Sequence, residues 1–287
     1  MIVNAAAKIN LMLDILGKTD NGYHSLYMIM QSVGIYDTIT VDKTDTSKIT
    51  LSCSDSRLPC DDSNIAVKAA NAFFKGTGCK NCGIHIAIKK QIPFEAGLAG
   101  GSADAAAVII ALDKIFKTQL STKQLVKIGL SVGSDVPFCL QGGTMLALDV
   151  GGVLAQLPDI PECFLVLAKP AQGVSTAQAY AQYDSLLNCR HLDREGMLRA
   201  VVEQDLNKIC SLMGNVFEQF VEVLERVEIK RIMREHNSIG NCMSGSGPTV
   251  FGIFTNEIDA QNCATELKKG IKDVFVCKPV ESGCEIK

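Results

Sequence analysis

The pattern of apolar and polar positions predicts strands and helices throughout the first half of the chain. Residues 1–16 are mostly apolar with spaced polar positions, which indicates a strand, and residues 37–42 and 48–53 alternate as strands do. Residues 61–75 begin with Asp and Ser and then carry apolar side chains at helical spacing, which predicts a capped helix. After a glycine-rich stretch, apolar positions recur at three- and four-residue steps, so another helix is expected to begin near Ser102.

The second half also mixes strand and helix patterns. Residues 163–170 read as a strand, and residues 174–187 and 222–237 read as helices. A strand, a glycine turn and a second strand are expected within residues 239–254. Strands and helices in both halves favour an α+β fold rather than a bundle or a sandwich.

A short polar stretch separates the two halves. Residues 157–163 hold two prolines among polar residues, which is typical of a connection between domains. We therefore expect an N-terminal domain over residues 1–157 and a C-terminal domain over residues 158–287.

Composition narrows the class of protein. The hydrophobic fraction of 47% and the charged fraction of 21% are ordinary for a globular protein with a core. A net charge of −3 disfavours nucleic acid as the main partner. The sequence contains no apolar run long enough to span a membrane, so no membrane segment is predicted. The 12 cysteines are scattered through apolar stretches, as reduced thiols are, and their spacing predicts no metal site. With no targeting pattern, a cytoplasmic location is the default expectation.

A glycine-rich loop between a strand and a helix is the first candidate for chemistry. The backbone N–H groups of a helix start are unpaired and attract anions, and Gly97, Gly100 and Gly101 would let a phosphate approach them closely. Other phosphate motifs fail, because Met12 stands where a P-loop needs its first glycine and Ala99 breaks a dinucleotide fingerprint. On the loop alone, a plain tight turn stays open as the alternative.

Three stretches together resemble the GHMP kinases: IPFEAGLAGGSADAAA at 92–107, KINLMLDILGKTDNGYHSL at 8–26 and VGSDVPFCLQGG at 132–143. The last two resemble members whose substrate is a cytidine-diphosphate-linked polyol, and the similarity runs nearly end to end. It implies a two-domain α+β fold, with a ribosomal-protein-S5-like α/β domain followed by a ferredoxin-like domain. It also implies ATP and Mg²⁺ as cofactors, a phosphorylated hydroxyl as product and an active site between the domains. Homoserine kinase or a non-catalytic nucleotide-binding module of the same fold are the alternatives.

The resemblance implies which residues hold ATP. Asn64 and Lys90 would lie beside the adenine. The phosphates would rest on a loop that acts mostly through its backbone N–H groups and consists of Pro93, Phe94, Glu95, Ala96, Gly97, Leu98, Ala99, Gly100, Gly101, Ser102 and Ala103. The family commonly has Gly at position 99 and Ser at position 103, where this chain has Ala. Backbone donors survive both changes, so phosphate binding is still expected. No protein ligand to the metal is nominated.

Two charged residues match the family's catalytic pair. Asp135 would take the proton of the acceptor hydroxyl, and Lys8 would neutralise the γ-phosphate and favour an ionised Asp135. The residues alone leave other roles open. Lys8 could be a surface charge at a strand end, and Asp135 could be a helix cap or turn residue before Pro137.

Further matches imply the substrate site. Asn10 would bind the polyol, and His24 would hydrogen-bond the cytosine between aromatic walls formed by Tyr23 and Tyr180. Thr176 would touch the substrate's phosphates or sugar. The residues alone also allow Tyr180 to be an ordinary core aromatic. A second glycine turn at residues 245–247 packs near the site in the family, although its sequence alone predicts only a hairpin.

Overall fold

The computed structural model describes residues 1–19, 22–149, 151–186 and 188–287. Strands and helices alternate along both halves of the chain, as the apolar pattern predicts. In chain order, the elements are β1 (Ile2–Lys18), β2 (His24–Lys43), β3 (Ile49–Cys53), α1 (Ile65–Thr77), β4 (Ile84–Lys89), α2 (Gly100–Phe116), α3 (Thr122–Leu130), α4 (Val136–Gln141), β5 (Thr144–Asp149), β6 (Val153–Gln156), β7 (Phe164–Lys169), α5 (Thr176–Asp184), α6 (Arg194–Val202), α7 (Leu206–Leu212), β8 (Gly214–Asn215), a 3₁₀ helix (Val216–Gln219), α8 (Arg226–Glu235), β9 (Gly240–Met243), β10 (Val250–Phe254), α9 (Glu257–Leu267), β11 (Asp273–Cys277) and β12 (Cys284–Ile286).

A long antiparallel hairpin organises the first sheet. β1 and β2 pair along most of their length, and β1 is buried without a break from Ala5 to Ile15. Burial on both faces explains why β1 reads as an apolar run instead of an alternating strand. The sheet continues in the order β12-β1-β2-β4-β3, with β5 and β8 also pairing with β2 and β1. The hairpin therefore carries Lys8 through the middle of a buried layer.

Helices α1 and α2 pack together on this sheet. Asn64 caps α1 by accepting from the Ala66 N–H at 2.9 Å. Helix α2, expected to begin near Ser102, begins two residues earlier at Gly100, with Ala99 at its N-cap position. Ala99 has a φ of +58°, the left-handed region where the family commonly has glycine, so the alanine there keeps the loop conformation.

The second sheet has the order β11-β7-β10-β9, and all its pairings are antiparallel. Counted from β7, the third strand lies between the first and the second, and the fourth lies on the other side of the first. With α8 and α9 packed on this sheet, the arrangement is the split βαβ pattern of a ferredoxin-like domain. The expected C-terminal topology is therefore confirmed.

The connection between β6 and β7 contains the expected boundary at residues 157/158. The chain after it also returns to the first sheet, where β8 and β12 pair with β1. The division into 1–157 and 158–287 stays a prediction. Asp20 and Asn21 of the expected turn before Tyr23 lie outside the described residues, as does Leu187 at the end of the helix expected over 174–187. Of the helices that the structure describes, none has both the length and the apolar character needed to cross a bilayer.

Candidate active site

A cavity of about 540 Å³ lies where the glycine loop meets α4, α5 and the second glycine turn. Residues 93–101 line it without a break, followed by Asp104 at the start of α2. Ser102 and Ala103 lie outside its wall, and Ala103 is fully buried. The loop expected to hold phosphates therefore faces the cavity through all but its last two residues.

The two glycine turns interlock at one side of this cavity. Gly97 has a φ of +72°, and a Cβ atom there would come within 2.3 Å of the Ser244 carbonyl oxygen. The Ser244 hydroxyl donates back to the Gly97 carbonyl at 3.0 Å, and a Cβ on Gly245 would lie 3.0 Å from the same carbonyl oxygen. Backbone therefore packs on backbone here, which requires glycine at positions 97 and 245.

The start of α2 offers unpaired backbone donors to this cavity. Within the described ranges, no side chain caps the helix, and Ala99 contributes only its carbonyl, which accepts from the Ala103 N–H at 2.9 Å. The first-turn N–H groups and the positive end of the helix dipole then point toward the loop. This arrangement can bind phosphate oxygens through the backbone alone.

Lys8 and Asp135 form the charged pair at the cavity. Lys8 Nζ lies 3.9 Å from Asp135 Oδ2, with 5% of the lysine side chain and 29% of the aspartate side chain exposed. The backbone N–H of Lys8 also donates to the Leu98 carbonyl at 3.1 Å, which fixes β1 against the loop. A lysine this buried is not a surface charge, so that alternative for Lys8 is wrong.

The carboxylate of Asp135 is free for chemistry. Asp135 occupies the N-cap position of α4, ahead of Pro137, but its side chain makes no capping hydrogen bond with any described residue. The start of α4 therefore places the Asp135 carboxylate at the cavity without engaging it in a capping hydrogen bond. Side-chain capping of α4 is therefore not the role of Asp135 among the described residues, and its catalytic role stays a prediction.

Asn10 lies behind Lys8, not in the cavity wall. It is fully buried, and its Oδ1 accepts from Lys8 Nζ at 2.7 Å and from the Gly245 N–H at 2.9 Å. Because no part of the Asn10 side chain is exposed, the expected direct contact between Asn10 and the polyol cannot form in this structure. The side chain instead aligns the lysine and ties β1 to the second glycine turn, and sequence spacing alone could not distinguish these roles.

Lys90 lines the cavity as expected, but it is held by two buried aspartates. Its Nζ lies 2.5 Å from Asp37 Oδ2 and 2.6 Å from Asp104 Oδ2. Asp37 Oδ1 also accepts from the backbone N–H groups of Gln91 and Ile92, which lead into the glycine loop. The sequence analysis predicted no role for either aspartate. Asp104 is nevertheless a lone charge in an apolar stretch, which is the same pattern that made Lys8 a candidate.

One lysine cannot neutralise two buried carboxylates. Burial acts to lower the pKa of Lys90, but the charges and hydrogen bonds of Asp104 and Asp37 outweigh it and raise the pKa above its ordinary value. Burial raises the pKa of Asp104 well above its usual range, and the Lys90 cation offsets this only in part. Asp37 accepts from two backbone N–H groups in addition to Lys90, whereas Asp104 accepts from Lys90 alone among the side-chain contacts given for the described residues.

The outer end of the cavity is lined by α5 and the second glycine turn. Thr176 and Tyr180 belong to its wall, and the Thr176 hydroxyl lies 2.9 Å from the Ser246 hydroxyl. His24 stacks on Tyr180, with ring centroids 4.6 Å apart and planes 19° apart. Tyr180 also packs edge-on against Phe217 at 5.2 Å, so it has both the core role and the cavity role.

The structure brings most expected residues together and leaves a few aside. Asn64 lines the cavity while its side chain serves the α1 cap and donates to the Pro59 carbonyl at 2.7 Å. Tyr23, with 64% exposure, and His24 are outside the wall, although His24 touches it through Tyr180. Gly245 and Ser246 of the second glycine turn line the cavity, as the resemblance implies, whereas Phe217 and Met28 line it without having been expected.

Comparison with known proteins gives matches along the whole chain. The models of the GHMP kinases N terminal domain and the GHMP kinases C terminal match residues 64–143 and 197–273. The 4-diphosphocytidyl-2-C-methyl-D-erythritol kinase of Clostridium acetobutylicum is 42% identical, over 98% of this chain and 100% of the relative. That of Clostridium beijerinckii is 41% identical over the same shares. These matches confirm the expected two-domain α+β fold.

Comparison with solved structures confirms the fold, but it distinguishes less well between kinases that act on different substrates. A crystal structure of 4-(cytidine 5'-diphospho)-2C-methyl-D-erythritol kinase matches with a TM-score of 0.77 and 27% identity, over 97% of this chain and 99% of that chain. A homoserine kinase from Cytophaga hutchinsonii reaches a TM-score of 0.81 at 20% identity, over 100% and 97%. The fold is therefore shared by kinases with different acceptors, and specificity has to be argued from side chains.

Proposed function

Because the chain belongs to the GHMP kinases and is an ATP-dependent small-molecule kinase, we propose that its acceptor is 4-diphosphocytidyl-2-C-methyl-D-erythritol. It would transfer the γ-phosphoryl group of ATP to the 2-hydroxyl of that compound, a step in isoprenoid precursor synthesis. The observation that carries the proposal is the Lys8–Asp135 pair, placed 3.9 Å apart in a cavity that the glycine loop also lines. The likeness to kinases named for this substrate supports the choice of acceptor.

The glycine loop supports the nucleotide half of the proposal. Its backbone N–H groups bind the phosphates, and Lys90 and Asn64 border the same cavity. Within the described ranges, no group of three His, Cys, Asp or Glu side chains is arranged to hold a metal ion. We therefore propose that Mg²⁺ enters with ATP and is bound mainly by phosphate oxygens, where it neutralises charge on the transferred group.

Lys8 and Asp135 would carry the chemistry. Asp135 accepts the proton of the attacking hydroxyl as the new O–P bond forms and the bond from the γ-phosphorus to ADP breaks. Lys8 donates to the transferred phosphoryl oxygens and balances the charge of Asp135. Asn10 holds Lys8 in that position from behind. The partial exposure of Asp135 lets an acceptor reach it, while the buried Lys8 keeps a fixed geometry.

The substrate end supports a cytidine compound. Tyr180 offers an aromatic face at the cavity wall, and Thr176 and Ser246 offer hydroxyls to the phosphates or polyol. His24 and Tyr23 lie next to this wall at the hairpin end, where a base reaching out of the cavity would meet them. A homoserine kinase needs no such aromatic group, and a module without activity has no need of the charged pair.

The direct test offers the purified chain ATP·Mg²⁺ with three acceptors and measures ADP release. The cytidine compound is expected to give turnover well above homoserine and mevalonate. Equal turnover with all three, or none with the cytidine compound, would reject the proposed acceptor. Turnover with homoserine alone would instead support the rival kinase of the same family.

A further inference from the structure

One face of α5 surrounds His24 with three side chains. Tyr180, Tyr183 and Asp184 are spaced so that they share that face. Tyr180 stacks on the imidazole, Tyr183 meets it edge-on at 5.6 Å and 82°, and Asp184 Oδ1 lies 2.6 Å from His24 Nε2. Tyr180 thus contacts one face of the imidazole, Tyr183 packs against it edge-on, and Asp184 contacts Nε2. Only 9% of the His24 side chain is exposed.

Asp184 also holds the hairpin end from which His24 comes. Lys18 and His24 are opposite each other in the β1–β2 register, and Lys18 Nζ lies 2.7 Å from Asp184 Oδ2. The hydrogen bonds from Lys18 and then His24 lower the pKa of Asp184. Each carboxylate oxygen therefore has its own partner, and Asp184 is an ionised acceptor at neutral pH.

An ionised carboxylate fixes which nitrogen of the ring carries the proton. A carboxylate can only accept, so the short contact requires a proton on His24 Nε2. In the neutral ring, that leaves Nδ1 as an acceptor. Nδ1 has no hydrogen-bond partner in the part of the chain that the structure describes. In the neutral ring, this nitrogen therefore keeps a lone pair that no described group uses.

The two pyrimidines differ at the atom that such a nitrogen would meet. Cytosine carries a 4-amino group, which donates, where uracil carries a carbonyl oxygen, which accepts. An acceptor at Nδ1 pairs with the first and repels the second. We propose that Asp184 is a specificity-determining residue that positions the proton on His24 Nε2, so that His24 Nδ1 selects cytosine over uracil. This inference rests on the proposed function, because it assumes that the base of the acceptor binds beside His24.

The test measures the binding of CDP and UDP to the full chain by isothermal titration calorimetry at pH 8, above the ordinary imidazole range. The unchanged protein is expected to prefer CDP. In Asp184→Asn, the amide can donate as well as accept, so it no longer dictates the ring proton. The CDP preference is expected to fall about fivefold, the scale of one hydrogen bond between neutral groups, and the KM for the cytidine acceptor to rise more than the KM for ATP.

Two further variants separate tautomer control from structural support. Lys18→Gln removes the ion pair of Asp184 with Lys18 but leaves the hydrogen bond to His24, so the CDP preference is expected to persist. Asp184→Glu keeps a carboxylate at the end of α5 and is expected to restore part of the preference lost in Asp184→Asn. Thermal melting of each variant shows whether the fold is retained.

The outcomes distinguish this inference from the proposed function. If the unchanged protein prefers CDP and Asp184→Asn has the same preference, Asp184 does not set specificity, although the acceptor assignment stands. If Lys18→Gln loses the preference as fully as Asp184→Asn, the ion pairs act by holding the hairpin, and the inference is overturned. Absence of turnover with the cytidine acceptor, in the separate kinase assay, would reject the function itself.

Discussion

The two ends of the cavity are built in different ways. At the nucleotide end, backbone packs on backbone: Gly97 fits against Ser244, and α2 begins without a side-chain cap. At the base end, side chains make the contacts: His24, Tyr180 and Asp184 meet through a ring stack and a hydrogen bond. The first end is interlocked through the two glycine turns, whereas the second lies where a hairpin meets a helix.

This difference predicts two kinds of sensitivity. Substitutions other than to proline leave the backbone N–H donors in place, so the nucleotide end should respond mainly to added bulk, with a loss of stability. Side-chain contacts can be removed singly, so the base end should respond with a loss of affinity for one substrate and little loss of stability. Single substitutions can separate these responses, beginning with the residue between the two ends.

Replacing Asp135 by Asn should have the largest effect. The amide cannot accept the proton of the attacking hydroxyl, so kcat is expected to fall about 10²–10⁴-fold. Because Asp135 caps no helix in the described structure, its melting temperature should change little. Steady-state kinetics with the cytidine acceptor, combined with thermal melting, checks both statements. An unchanged kcat would mean that positioning alone drives the transfer.

Gly97→Ala should test the interlocked end. The new Cβ would lie 2.3 Å from the Ser244 carbonyl oxygen, at a φ of +72°. We expect a loss of more than about 2 kcal/mol in the free energy of unfolding, and a higher KM for ATP. Urea unfolding and ATP titration measure these two quantities.

Ala99→Gly is the matched control for the same loop. Ala99 already has a left-handed φ of +58°, so glycine relieves strain there while it adds freedom to the unfolded chain. The two effects oppose each other, and the change in unfolding free energy should stay within about 1 kcal/mol. If Gly97→Ala changed the free energy of unfolding as little as Ala99→Gly, the close contact between the two glycine turns would not require glycine at position 97.

His24→Ala should give the contrasting response at the base end. Removal of the ring takes away a hydrogen bond and a stacking partner of Tyr180, so the KM for the cytidine acceptor should rise about tenfold or more. The KM for ATP should change less, since the loop lies at the other end of the cavity. Kinetics with each substrate varied in turn provides the measurement. A larger effect on ATP would contradict the assignment of the base end.

Sequence reasoning located the architecture and the charged pair better than it located the neighbours of each residue. The apolar run of β1 indicated a buried strand, and a lone lysine inside it pointed to a partner, which the structure supplies in Asp135. The ferredoxin-like sheet was predicted only from the resemblance to the GHMP kinases, because the local pattern of apolar residues does not determine the order of strands in a sheet.

The errors have physical reasons. Ser102 is a good capping residue, but Ala99 starts the helix earlier because the loop imposes a left-handed residue there. Asn10 shares a strand face with Lys8, yet the second glycine turn covers that face and buries the amide. Asp37 and Asp184 are distant in sequence from Lys90 and His24, and only folding brings these pairs within hydrogen-bond distance.

Asp104→Asn should change how stability depends on pH, in a direction set by the pKa shift of this carboxyl. Burial raises the pKa of Asp104 well above the value of about 3.9 that an unfolded chain would show. The folded state then binds the proton more tightly, so stability is greatest below the ordinary carboxyl range and is lost as pH rises toward the folded pKa. Asn does not titrate, so it should flatten this decline above about pH 4, where one proton contributes a slope of at most about 1.4 kcal/mol per pH unit.

Asp55 provides the control of opposite sign. Its hydrogen bond from Arg57 lowers the pKa of Asp55 to about 2, so this aspartate stabilises the fold above the ordinary carboxyl range and loses that contribution as pH falls. Arg57 is largely exposed, so Asp55→Asn should cost only about 0.5 kcal/mol at neutral pH. Urea unfolding across the pH series should therefore give slopes that change in opposite directions for the two variants. Equal changes in slope would mean that Asp104 is ionised beside Lys90, and the triad would then carry a net negative charge at the edge of the phosphate loop.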